Sequence, residues 1–370
     1  MSPNHRKAIS VLYVASLVLA VFVAPQAYAD PNIYQQHNLV SDGAVAADHV
    51  DPNLVNPWGI VFNPTAFVWV ANNHTGTSTL YDGFGNPQSL VVIIPPPTGS
   101  SDTGNPTGIV YYGGNDFIVS SAGTSGPSRF IFASESGTIA GWAPNVDLKH
   151  AILVVDNSAS HAIYKGLALA ANGTGNFLYA TDFHNARIDV FDTGFHPMTM
   201  PGAFADPAIP VGFAPFGIQN LNGDLYVTYA KQDANAEDNV SGPGLGFVDV
   251  FDANGHLIRR VATRGHLDAP WGLTVAPANF GRFSNRLLVG NFGDGAINAY
   301  DLASGAFVGR LRGPDHRPIH IDGLWGISFG NGLLQQPTDA LFFAAGPSDE
   351  THGIYGSLTA VPSIGSDDDD

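Results

Sequence analysis

Apolar and polar residues alternate along most of this chain in short runs, and the runs recur. The segment 180–192, ATDFHNARIDVFD, sets the pattern: a polar turn, then an alternating stretch that ends in an aromatic residue followed by Asp. Counted from Asp182, Phe191 and Asp192 fall nine and ten positions on. The same offsets lead from Asn72 to Tyr81 and Asp82, and from Asn291 to Tyr300 and Asp301. Weaker copies lie at 133–142, 242–252 and 348–357. Short alternating runs bounded by Gly, Pro, Asn and Asp are the mark of half-buried strands joined by tight turns. Fixed internal offsets mean that those strands are grouped into repeated units.

A second repeat marks where each unit starts. Asn56-Pro57-Trp58-Gly59, Asn105-Pro106-Thr107-Gly108, Tyr164-Lys165-Gly166, Ala214-Pro215-Phe216-Gly217, Ala269-Pro270-Trp271-Gly272 and Gly323-Leu324-Trp325-Gly326 each precede an apolar run. The glycines at 59, 108, 166, 217, 272 and 326 are spaced by 49, 58, 51, 55 and 54 residues. Six units of that length match four-stranded blades, so the chain reads as all-β, a six-bladed β-propeller. Innermost strands converge on a narrow axis, where glycine lets backbones approach. The first blade is expected to have strands at 59–62, 67–71, 78–82 and 89–94, with later outer strands at 151–155, 257–262 and 306–311. In the second blade both 117–121 and 129–133 read as the second strand, and the fourth carries a polar insertion at 231–242. The sixth unit supplies three strands, at 326–329, 341–345 and 354–361. Its fourth is expected from the mature N-terminus, 33–40, which closes the ring and leaves no free edge.

Composition adds a compartment and removes some functions. His5, Arg6 and Lys7, an apolar run over 9–24 and the small-x-small triplet Ala27-Tyr28-Ala29 predict a signal peptide over 1–29. The remainder divides into a single propeller, 30–361, and a disordered acidic tail, 362–370, ending in four aspartates. No other run is long enough to span a membrane, so the mature chain is expected to have no transmembrane segment, to be secreted or periplasmic in a bacterium, and to be a monomer. There is no cysteine, which excludes disulfides, thiolate metal sites and a cysteine nucleophile. A formal net charge of −17 opposes nucleic-acid binding and is compatible with a cationic ligand or metal.

The strand pattern of 180–192 resembles an NHL-type propeller repeat. A wider resemblance, carried by 34–42 (YQQHNLVSD), 56–59 (NPWG), 72–76 (NNHTG) and 290–295 (GNFGDG), is to an uncharacterised family of exported bacterial propeller proteins. It spans nearly the whole mature chain and implies a fold, with no activity attached. The fold also resembles the gluconolactonase and regucalcin group, metal-dependent hydrolases with an axial calcium, whose acidic ligand pattern is not matched here residue by residue.

Candidate chemistry sits on the face where the turns between second and third strands meet the entrances of the first strands. Aligned on the aromatic-Asp end, the six turns place His74, Glu135, His184, Gly244, Gly293 and Glu350 at one position. Imidazoles and carboxylates in that mix suit one divalent metal ion, with His74, His184 and Glu135 as ligands and Glu135 or Glu350 as base. The alternative is that each polar side chain satisfies its own turn. Asn72, Asp182 and Asn291 start these turns, as Asx-turn formers or as ligand contacts, and Asp294 and His352 share the face. Gly76, Gly137, Gly246 and Gly295 are expected to supply positive φ. His266-x-Asp268 and His320-x-Asp322 recur before Trp271 and Trp325, as imidazole–carboxylate pairs for acid–base work or as loop hydrogen bonds. Lys165 occupies the slot held elsewhere by Trp58, Phe216, Trp271 and Trp325, and reads as a base or ligand anchor on the axis, or as a long stem reaching solvent.

No P-loop, nucleophile elbow or HExxH occurs. The resulting expectation is a propeller that binds a small-molecule or protein ligand at its axial mouth, as a metal-dependent hydrolase or lyase or, alternatively, as a non-catalytic module for protein or cell-envelope interaction.

Overall fold

The computed structural model describes residues 33–361, so the expected signal peptide and acidic tail lie outside the described residues. Within them each blade starts at one of the six glycines. The first-blade sheet runs Pro57–Phe62, Val68–Asn72, Thr77–Tyr81 and Val92–Ile93 from the axis outward. Blades 2 to 5 repeat the order, starting at Pro106–Tyr111, Tyr164–Ala171, Phe213–Leu221 and Pro270–Val275. Blade 6 starts at Leu324–Phe329, and each innermost strand touches the next until the sixth meets the first.

The glycines are required because the strands meet there backbone to backbone. A Cβ on Gly59 would lie 2.5 Å from the carbonyl oxygen of Thr107, and one on Gly272 would lie 2.6 Å from that of Trp325. Gly326 faces the carbonyl of Trp58 in the same way, which completes the circle.

The aromatic-Asp ending has two jobs. The aspartate caps the hairpin that follows: Asp82 Oδ1 accepts the N–H groups of Phe84 and Asn86, each at 2.9 Å, and Asp192 and Asp252 repeat the geometry. The aromatic packs between blades, as where Tyr81 stacks on Tyr355 with centroids 5.3 Å apart. Six apolar clusters fill the six blade interfaces and a seventh, around Trp58, Phe216 and Trp325, fills the axis.

Ring closure follows the expected route. Ile33–Ser41 pairs antiparallel with Ile354–Val361 as the fourth strand of blade 6, with the short His49–Val50 outside it. Tyr34 is fully buried there, and its hydroxyl donates to the Phe280 carbonyl at 3.1 Å.

Three details resolve or differ from expectation. In blade 2 the second strand is Phe130–Ser134, while Ile118–Ser121 pairs with Thr124–Pro127 in a separate ribbon. The fourth-blade insertion extends its hairpin: Asp224–Gln232 runs beyond the sheet and pairs with Asn239–Val240. Gly246 does not have positive φ; it lies in Gly246–Phe251, where a Cβ would press on Pro270, and Gly244 takes the left-handed conformation instead. Gly76, Gly137 and Gly295 do have it. Among the described residues no helix is long and apolar enough to cross a membrane.

Candidate functional site at the axial mouth

The slot before each ring glycine points a side chain at the axis. Trp58 and Trp325 stack there with centroids 3.4 Å apart, and Trp271 meets both edge-on. Below them, a cavity of about 30 Å³ lies among the ring glycines, room for a single water. The aromatic stack fills this part of the axis.

Lys165 breaks this apolar ring. Its side chain is 2% exposed, with Nζ 5.3 Å from the Trp58 ring centre, 2.5 Å from Glu135 Oε1 and 2.9 Å from Asp238 Oδ1. Burial works against its charge, but the two carboxylates more than offset that and raise its pKa. Glu135 comes from the blade-2 turn and also accepts Asn73 Nδ2 at 2.8 Å. Asp238 comes from the blade-4 insertion and is itself 74% exposed. The insertion is held over the mouth by Gln232, whose side-chain amide donates to the carbonyls of Phe183 (2.6 Å) and His184 (3.3 Å).

Glu350 adds a third carboxylate. Burial, then the charges of Glu135 and Asp238 against the opposing pull of Lys165, raise its pKa from 4.5 to about 7. Ser348, Asp349 and Glu350 are consecutive non-glycine residues with φ of 58°, 53° and 64°. Side chains with a Cβ rarely adopt that region, and never cheaply in succession, so the loop carrying Glu350 is strained. Two buried donors at the same end of the axis, Asn56 Nδ2 and Trp58 Nε1, have no partner among the described residues.

The turns of blades 1, 3 and 5 keep the register read from the sequence, and the blade-2 turn does not. Their first residues donate backbone N–H groups to equivalent carbonyls: Asn73 to Asn56, Glu135 to Asn105, Phe183 to Ile163 and Phe292 to Ala269. Glu135 is thus the counterpart of Asn73 and Phe183, one place ahead of His74 and His184. The blade-2 turn is a residue shorter than its neighbours, so alignment on the strand end displaced it. Phe183 and Phe292 accordingly pack on the axial aromatics, at 5.2 Å from Phe216 and 4.1 Å from Trp325.

His74 is exposed, and His184 lies 5.9 Å from His161, ring centre to ring centre. Glu135 is committed to Lys165 and Asn73. Among the described residues no group of three or more His, Asp or Glu side chains is arranged to hold a metal ion.

The remaining candidates are mostly turn formers. Asn72 donates to Thr77 and Thr79, at 3.1 and 3.0 Å. Asp182 is buried, accepts the Ile163 N–H and the Asn185 amide, and has its pKa raised by burial. Asn291 donates to Asp294 at 2.8 Å, and Asp294 also pairs with Arg310 at 3.1 Å. The His-x-Asp pairs form loop contacts. His266 stacks on Phe307 while Asp268 accepts the Gly242 N–H; the Asp294 carbonyl holds the His320 ring while Asp322 accepts the Ser348 N–H. His352 meets Asp42 at 2.8 Å, tying the closing strand to its loop.

Two residues of the mouth were not singled out from the sequence, Asp238 and His161. The first lies in the insertion and the second in the loop entering blade 3, both outside the repeat.

No protein-family model matches the chain. "Uncharacterized protein L690" of Acanthamoeba polyphaga mimivirus is 36% identical over 329 residues, covering 86% of this chain and 84% of that protein. The chain belongs to the family of that protein. A second member from the same virus, "Uncharacterized protein R648", is 35% identical and matches 86% of this chain and 78% of its own length. These two relatives are viral, not bacterial. Among solved structures, a streptogramin B lyase is similar with a TM-score of 0.52 at 14% identity, covering 89% of this chain and 97% of that one. A catalytically inactive virginiamycin B lyase from Staphylococcus aureus with quinupristin gives a TM-score of 0.51 at 14% identity, covering 89% and 99%. At that identity the likeness is one of fold.

Proposed function

We propose that this protein is an exported propeller whose axial mouth binds a small polar molecule and catalyses proton transfer on it, as a hydrolase or lyase. The observation that carries this reading is the convergence on one buried lysine of carboxylates from three separate blades. Glu135, Asp238 and Glu350 come from blades 2, 4 and 6, and nothing in the packing of a propeller asks for them there. Buried charge is costly and is not kept for stability alone. In this reading Glu350, with a pKa near neutrality and on a strained loop, takes or gives the proton. The Lys165 ammonium stabilises negative charge developing on the substrate, in the place that Asp238 fills when the site is at rest.

A second reading has one observation in its favour. The Trp58–Trp325 stack fills the axis, which suits a non-catalytic face that binds a ligand or protein.

A panel of small esters and lactones, assayed with wild-type protein and E350Q, separates the two. Turnover of a panel member that falls by roughly 10²- to 10⁴-fold in E350Q supports the catalytic reading. Turnover of no member, or turnover that survives in E350Q, moves the assignment to the binding face.

A further inference from the structure

Beside the mouth, between blades 2 and 3, is a cavity of about 210 Å³ bounded by Glu135, Ser136, His161, His184 and Glu237, together with Ser158. The blade-4 insertion roofs it. Neighbouring residues of that insertion divide their work: Asp238 reaches Lys165, and Glu237 faces the cavity. We propose that this cavity is the recognition subsite of the axial site and takes a small ligand carrying a primary ammonium group; the proposal rests on the mouth being a ligand site.

Three observations point there. First, the cavity's lining contains two carboxylates and two imidazoles but no lysine or arginine. The one nearby ammonium, Lys165 Nζ, is already held by Glu135 and Asp238. Second, the side chains of His161, His184 and Glu237 make no hydrogen bond or ion pair with other described residues. His184 Nδ1 is buried without one. Third, the surroundings carry an excess of negative charge in a chain of net charge −17, which draws cations and repels carboxylates. An ammonium group offers three donors and no acceptor. Glu237 carboxylate oxygens, an imidazole nitrogen and the Ser136 hydroxyl are the acceptors it requires. The volume suits a molecule the size of one amino acid or a short diamine.

The test is isothermal titration of the whole protein with 1,4-diaminobutane at low salt, with butane-1,4-diol and succinate as controls. Expected is saturable one-to-one binding of the diamine alone, weakened by high salt and about tenfold or more by E237Q, a loss of roughly 1.4 kcal/mol. Glu237 is exposed and unpaired, so E237Q folds normally, and E237D should recover part of the affinity. Absence of saturable binding, equal binding of succinate, or an E237Q protein that binds as wild type would overturn the proposal. Glu350 lies outside the cavity, so E350Q keeps diamine binding if the subsite is right even where it abolishes turnover. Loss of turnover in E350Q with no diamine binding sinks the subsite and leaves the catalytic mouth standing.

Discussion

A methyl group placed on Gly272 would lie 2.6 Å from the carbonyl oxygen of Trp325 and 2.9 Å from the Cγ1 methylene of Ile327. Neither neighbour can retreat, since each belongs to the adjoining innermost strand. G272A should therefore destabilise the protein by roughly 2–3 kcal/mol, as overpacking of a tight interior does. Urea unfolding followed by tryptophan fluorescence measures this, and an unchanged midpoint would show that the ring has slack.

Replacing Lys165 with methionine leaves Glu135 and Asp238 facing each other without their cation. Breaking one side of a buried ion pair costs about 3–5 kcal/mol, and the exposure of Asp238 reduces this to roughly 2–3 kcal/mol here. The double variant K165M/E135Q should recover much of that loss, because it removes the stranded charge as well. A double variant no more stable than K165M would mean that the amine matters for packing alone.

Glu350 makes stability depend on pH in a predictable direction. Its pKa rises from 4.5 to about 7 in the folded protein, so the fold binds its proton more tightly than the unfolded chain does. The contribution is fully present below about pH 4.5, declines as pH rises through the interval to about 7, and is gone above it. E350Q cannot titrate, so the difference in melting temperature between wild type and E350Q should shift in favour of E350Q across that interval. A difference that stays flat from pH 4.5 to 7.5 would place the Glu350 carboxyl in water.

Removing residues 33–41 should leave the outer edge of Ile354–Val361 unpaired. Bare edges recruit other chains. The shortened protein is expected to elute as oligomers or aggregates in size-exclusion chromatography with light scattering. A synthetic peptide of 33–41 should restore the monomer by adding itself as a strand. A monomeric shortened protein would show that the sixth blade holds with three strands.

The fold was legible because its demands are local and repeated. A glycine is needed wherever two inner strands touch, and an aspartate caps the outer hairpin of blades 1, 3, 4 and 5, so Gly59 through Gly326 and Asp82, Asp192, Asp252 and Asp301 stand out. The site was legible only where it broke the repeat. Lys165 was conspicuous because four of the other five blades hold an aromatic in its slot. The partners were not visible in the same way. Glu135 was displaced by one position because its turn is a residue short, which wrongly grouped it with His74 and His184. Asp238 and His161 come from segments with no counterpart in other blades, where no alignment could place them.

The closing strand has a bearing on how the chain is made. Ile33–Ser41 leaves the ribosome before any blade exists, yet its partner, Ile354–Val361, is the last of the described strands to be synthesised. Blades 1 to 5 can assemble from neighbouring segments as they emerge, but the ring stays an open arc until the final strand is out. Nearly all of the chain must then be spanned to form one ladder, a contact of the slow, long-range kind. The completed ring therefore waits on its last strand, and before that step the first strand is a loose end with an affinity for edges. A helper that shields this strand would speed maturation, while a surplus of it would block the sixth blade and arrest the protein as an open arc.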